Sequence, residues 1–264
     1  FESQVVNHRE SLGKIYEVSS SLEQYGPEEV LFYAAQVLSR LMDCRDVAVY
    51  NVANRDYARL FSATSPEARR LGNSIKYTGM EELYGELKEH RVYINRNMVE
   101  KMPMMASAVY SEDDMQLIIM LWGVPWERMT LGEANRLTIV GYLIQNAVVR
   151  ANRYLDALRN ERYVEGTSVL EEEAFTHLAK AFFDAKDKGL TEYILLEIFT
   201  NGWNYAQAAD RLGGTMRQTD YLGLFKGGKL YALLPNTNKE TVGGIIDRFH
   251  ELGYTCRIDE EAVL

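Results

Sequence analysis

The sequence predicts an α+β protein of two domains, each an antiparallel sheet covered by helices. Three observations predict it. The chain has 264 residues, room for about two domains at roughly 150 residues each. Helix-period and strand-period apolar patterns alternate along its whole length. Hydrophobic residues make up 47%, charged residues 25% and prolines number only 5, which excludes long disordered or low-complexity tracts.

The elements follow in order. Val5, Val6, Leu12, Ile15, Tyr16, Val18 and Leu22 recur mostly at three- and four-residue steps up to Tyr25-Gly26-Pro27, which predicts an N-terminal amphipathic helix over 1–25. Pro27 suits the first turn of a second helix whose stripe Val30, Ala34, Val37, Leu38 and Leu41 faces a core. The period then changes. Asp46–Val52 and Tyr57–Ser62 alternate around Ala53-Asn54-Arg55-Asp56, as a hairpin does. A helix around Met80–His90, a strand at Val92–Ile94, a strand pair at Ala106–Tyr110 and Gln116–Trp122, and a long helix from Thr130 to about Leu158 complete a first domain over 26–150. Met98, Met102, Met104 and Met105 read as adaptable packing residues rather than a cofactor box.

A helical linker over 151–166 leads to a second domain over 167–264. Glu171–Lys186 places Phe175, Leu178, Ala179 and Phe182 on one helix face, and Glu192–Thr200 is an Ile/Leu-rich strand. Tyr205–Met216 predicts a helix that ends near Gly213-Gly214. Tyr221–Phe225 and Leu230–Leu234 flank Lys226-Gly227-Gly228-Lys229, a hairpin turned on a glycine pair. Glu240–Leu252, with Val242, Ile245, Ile246 and Phe249 inward, and a strand at Tyr254–Ile258 close the domain. Helix, then βαββαβ, predicts a ferredoxin-like α/β sandwich.

Lys plus Arg number 29 against 38 Asp plus Glu, a formal charge of -9. A non-specific nucleic-acid binder is excluded, and any anionic ligand must be met by a local cluster of cations. Cys44 and Cys256, the two cysteines, form no CxxC or Cys/His cluster, so no disulfide framework or metal site is expected and a reducing compartment fits. The longest apolar run, Leu117–Val124, is far short of the ~20 residues that span a bilayer. The chain opens on Phe1 and reads as an excised fragment, whose membrane segment is expected outside this sequence.

Arg217 and Asp220 form an RxxD where a helix gives way to the hairpin. An arginine fork can donate two bonds to the O6 and N7 edge of guanine or clamp a phosphate, and its flat face can stack on a purine. Asp220 can accept from guanine N1 and N2. By spacing alone the pair reads first as a surface ion pair at a helix end.

The helix order of the first domain resembles a GAF-type sensory domain from Pro27 to about Arg150. RxxD before a strand, a Gly-Gly hairpin, and a strand ending Ala232-Leu-Leu-Pro-Asn-Thr resembles the GGDEF family of diguanylate cyclases over about 168–258. That resemblance implies an inhibitory site for cyclic di-GMP at the RxxD. It also implies a second arginine 28 residues past the aspartate, and Arg248 stands there. The family's catalytic signature falls on Lys226–Leu230, or on Gly227-Gly228-Lys229-Leu230 after a one-residue shift. Either way its acids are absent, and with them the carboxylates that hold two Mg²⁺ ions. Glu197 matches the family's other metal-binding acid in type and is read as a strand-end carboxylate facing solvent or a basic neighbour. Arg211 and Lys226 can add positive potential.

The whole arrangement resembles the PelD-type family of cyclic di-GMP receptors. It implies a non-enzyme without cofactor that binds cyclic di-GMP through Arg217, Asp220 and Arg248, with Arg9 as a further candidate whose bland reading is a solvated residue. It also implies a soluble portion at the cytoplasmic face of the membrane. Its partners there would be exopolysaccharide synthase components, a glycosyltransferase and membrane proteins. An atypical nucleotide cyclase, and a sensor or scaffold whose ligand sits in the GAF-like domain, stay open as alternatives.

Overall fold

The computed structural model describes residues 13, 16–200 and 205–260. The chain divides into two compact units, Phe1–Asn152 and Arg153–Leu264, and the α+β class expected from the patterns holds in both.

In the first unit, α1 (16–23) and α2 (Val30–Leu41) precede the sheet strands β1 (Asp46–Val52), β2 (Tyr57–Ala63) and β3 (Ser74–Lys76). Helix α3 (Glu81–Lys88) follows, then β4 (Tyr93–Ile94), β5 (Met105–Ser111), β6 (Asp114–Trp122) and the long helix α4 (Leu131–Ala157). The six strands lie in the order β3-β2-β1-β6-β5-β4, antiparallel throughout. Central strands covered on both faces must be apolar at every position. This explains the apolar run in β6: Leu117, Ile119 and Leu121 pack with α1, α2 and α4. Ile118, Met120 and Trp122 face the opposite core with Tyr50, Leu83, Leu87 and Tyr93. That second face is therefore filled by side chains of the unit itself.

The methionine reading divides. Met105 is fully buried and Met102 and Met104 pack against the two cores, but Met98 is 61% exposed in a left-handed turn (φ 52°), so it does not pack as expected. Strand β3 was missed because three residues are too few to show a period.

In the second unit, α5 (Arg159–Arg162) and the short β7 (Val169–Leu170) precede α6 (Glu172–Asp187). Then come β8 (Tyr193–Phe199), α7 (Tyr205–Gly213), β9 (Tyr221–Phe225), β10 (Lys229–Pro235), α8 (Gly243–Glu251) and β11 (Thr255–Ile258). The order β11-β8-β10-β9 is that of a ferredoxin-like sheet, and β7 extends it as a parallel edge beside β9. Helices α7 and α8 share one face, in a core with Ile194, Leu196, Ile198, Leu222, Leu230 and Ala232. Alternation sends Tyr193, Tyr221 and Phe225 to the other face, where Phe175 and Phe182 of α6 meet them.

Helix α7 ends at Gly213, at the glycine pair expected to end it. Beyond it the chain turns back, the amides of Thr215 and Met216 both donating to Leu212 O. Among the described residues no helix is long and apolar enough to cross a membrane.

Candidate functional site

The RxxD occupies the connection between α7 and β9. Met216 anchors it on one side by packing into the α7–α8 core, and Tyr221, paired with Leu233 of β10, anchors it on the other. Between these anchors the turn closes on itself twice. The Arg217 amide donates to Asp220 Oδ2 at 2.8 Å, and the Asp220 amide donates to Arg217 O at 3.0 Å. Both residues are partly buried. No carboxylate of the described residues forms an ion pair with the Arg217 guanidinium. The surface ion pair that spacing alone allowed is thus absent: Asp220 holds the arginine's backbone, not its side chain.

Arg248 lies on α8, beside Phe249 and Ile245, which are buried inward. Its side chain is exposed, and its Nε donates to Gly244 O at 3.1 Å. That bond uses the Nε of the guanidinium and leaves its two terminal nitrogens without a hydrogen bond among the described residues. The structure brings Arg217 and Asp220 into one turn. It does not join Arg248 to them by any hydrogen bond or ion pair. What they share is a layer: α7, which feeds the turn, and α8 cover the same face of the sheet. The turn lies at the end of the sheet where β10 ends and leads into α8. Arg248 is five residues past the first residue of that helix, about 7.5 Å of helical rise. Arg9 lies outside the described residues.

A second constellation occupies the opposite face, at the other end of the sheet. Glu197 is only 3% exposed and sits in mid-strand, opposite Tyr231 and Arg257. The expectation of a strand-end carboxylate facing solvent is corrected, and its other half, a basic neighbour, is met twice. Lys229 Nζ lies 3.0 Å from Oε1, and the Arg257 guanidinium bonds Oε2. Burial raises the Glu197 pKa, but the bonds from Lys229 and Arg257, with their charges, outweigh it and hold the carboxyl below its ordinary value. Beside it Asp259 receives Lys226 Nζ at 2.6 Å and the Tyr231 hydroxyl at 3.1 Å. Burial, and then that bond to Asp259, push the Tyr231 phenol far above its usual range.

The hairpin turn itself is three residues long, Lys226, Gly227 and Gly228, all left-handed (φ 47°, 84° and 76°), and closes on the pair Phe225–Lys229. It is clamped from both sides. The Gly227 amide donates to Glu172 Oε1 at 2.8 Å, and the Tyr205 hydroxyl donates to Gly228 O. Sequence reasoning missed Arg257, Lys229 and Asp259 as one cluster, because only strand register brings them to Glu197. Among the described residues no group of three His, Cys, Asp or Glu side chains is arranged to hold a metal.

The fold and the two constellations define a class: a GAF-like sheet domain followed by a ferredoxin-like α/β domain with an RxxD turn. No family model matches the chain, and no curated protein matches it. It is similar to the solved structure of PelD 158-CT from Pseudomonas aeruginosa PAO1, at 14% identity and TM-score 0.41 over 95% of this chain and 90% of that one. It is similar also to PelD 156-455 from P. aeruginosa PA14 in complex with c-di-GMP, at 15% identity and TM-score 0.40, covering 94% of this chain and 88% of that one. The GAF domain of an Acinetobacter phosphoenolpyruvate-protein phosphotransferase matches at 11% identity and TM-score 0.42, over 55% of this chain and 97% of its own. Likeness this distant transfers no residue role, and the function is argued from the residues of this chain.

Proposed function

We propose that this chain is a cyclic di-GMP receptor of the PelD type, binding the dinucleotide at Arg217, Asp220 and Arg248. The observation that carries the reading is the RxxD turn. It is closed by its own aspartate, and its arginine, partly buried as a residue, carries a guanidinium that no acid of the described residues pairs with, in a chain of net charge -9. An arginine left without an acid in an acidic protein is a local seat for an anion. Arg248, exposed on a helix that covers the same side of the sheet, supplies a second fork whose terminal nitrogens are not engaged by the described residues. Two such forks suit a dianionic ligand with two guanines. Calorimetric titration with cyclic di-GMP tests this. Intact protein binds, and Arg217→Ala loses on the order of 1.5–3 kcal/mol, about one to two decades of affinity. Equal binding of cyclic di-AMP, or unchanged binding by the variant, overturns the site.

We further propose that the chain is not a cyclase. Glu197, the acid that the GGDEF resemblance points to, is engaged by two cations, and a lysine stands in the signature segment. Incubation with GTP and Mg²⁺ or Mn²⁺ is expected to give no cyclic product above a no-protein control. The motif resemblance motivates the rest of the reading. The receptor would act at the cytoplasmic face of a membrane, without a cofactor, on exopolysaccharide synthase components that include a glycosyltransferase.

A further inference from the structure

We propose that Gly243 and Gly244 are contact residues of the ligand site: the first turn of α8 is kept bare so that one flat base of the dinucleotide lies against its main chain, beside the Arg248 fork. The inference rests on the cyclic di-GMP reading and adds residues to that site. It starts from the glycines of the second unit. Among the described residues Gly166, Gly189, Gly227, Gly228 and Gly253 are left-handed, a conformation that favours glycine, and Gly223 has the Phe175 ring against it. The others are Gly213-Gly214 and Gly243-Gly244. None of these is left-handed, and a Cβ added to any of them would meet nothing within 4 Å. The fold has no use for the missing side chains, and within a helix glycine is a worse choice than alanine. Both pairs adjoin the site. Gly213-Gly214 stand just ahead of Arg217, and Gly243-Gly244 open α8 one turn before Arg248.

The geometry of Arg248 singles out the second pair. A helical side chain leans over the turn N-terminal to its own Cα, and the bond from Arg248 Nε to Gly244 O at 3.1 Å lays this one along the first turn of α8. The guanidinium is planar, so a guanine edge bonded to its terminal nitrogens shares its plane and runs along the same stretch of helix surface. Gly243 and Gly244 are exposed there. Glycine lets a ligand come down onto the main chain, whereas a side chain at 244 would stand in the volume the base takes.

Gly244→Ala and Gly244→Leu in the full chain test this, by thermal unfolding without ligand and by calorimetric titration with cyclic di-GMP. Gly85→Ala is the control, because Gly85 is a glycine of α3, in the other unit, with equally open surroundings. All three variants are expected to unfold no lower than the unaltered protein. Gly244→Ala is expected to bind about fivefold more weakly and Gly244→Leu at least about thirtyfold, while Gly85→Ala binds unchanged. Placing Gly244→Leu on an Arg248→Ala background separates a clash with the ligand from a displaced fork: the clash costs affinity again, whereas a fork already removed has nothing more to lose. The proposal falls if Gly244→Leu binds like the unaltered protein, if its loss vanishes on the Arg248→Ala background, or if the Gly244 variants unfold earlier, which would make the glycine a need of the fold. Should the unaltered protein not bind cyclic di-GMP, the receptor reading fails and this inference with it. Binding by the unaltered protein and equal binding by Gly244→Leu defeats this inference alone.

Discussion

Glu197 shows how one side chain changes character when its neighbours are known. A carboxylate 3% exposed is costly unless its charge is answered, and here Lys229 and Arg257 answer it from the strands on either side. Its depressed pKa carries a sign. A group whose folded pKa lies below its unfolded value adds stability above the ordinary carboxylate range, and that stability is lost as pH falls through the folded value. Lys229→Met removes one of the two partners. Lys229 is 54% exposed and Arg257 remains, so a loss toward the lower end of about 1–3 kcal/mol is expected near pH 7. Because a protonated Glu197 no longer needs the cation, the difference between variant and unaltered protein shrinks toward about pH 3. Urea unfolding at the two pH values checks this, and a deficit that grows on acidification contradicts the account. Arg217 poses the reverse case, a guanidinium that no carboxylate of the described residues answers.

Between residues and domains, the β9–β10 hairpin and α6 act as one element. Gly223 lies directly under the Phe175 ring, so close that an added Cβ would overlap the ring and lie 2.7 Å from Phe175 Cβ. The glycine is required by this approach of helix to strand, not by its backbone angle. Gly223→Ala is expected to destabilise the second unit by about 1–3 kcal/mol, as overpacking does. Phe175→Leu in the same chain should return part of the loss. Thermal unfolding of the single and double variants measures both, and simple additivity of the two losses would sink the explanation. The tip of the same hairpin is held by Glu172 and Tyr205. The turn that resembles a catalytic loop is thus part of the packing between α6, α7 and the sheet. In the first unit Arg128 has a comparable part. Its guanidinium donates to Met42 O at 2.6 Å and Asp43 O at 3.0 Å, satisfying carbonyls that the end of α2 leaves open.

At the scale of the whole chain, two units with separate cores predict two unfolding transitions. Cyclic di-GMP at about 100 times its Kd should add about 2.7 kcal/mol to the unit that binds it. Calorimetry is expected to shift one transition, that of the RxxD unit. A shift of the other transition alone would relocate the ligand to the GAF-like unit and favour the sensor alternative. The sequence by itself determined the type and order of the long elements, since helices such as α2 and α6 and strands such as β1, β2 and β8 declare themselves through local apolar periods. It determined the RxxD and its spacing to Arg248 as well. Strands β3 and β7, of three and two residues, were decided by the tertiary structure, because their only support is the neighbouring strand. So were the partners of Glu197, the three-residue hairpin turn and the fit of Gly223 under Phe175. Each depends on register or on contact between residues far apart in sequence, and no local period encodes which distant side chains meet. The RxxD divides the same way: the motif could be counted along the chain, but only the folded turn directs Asp220 Oδ2 at the Arg217 amide rather than at the guanidinium.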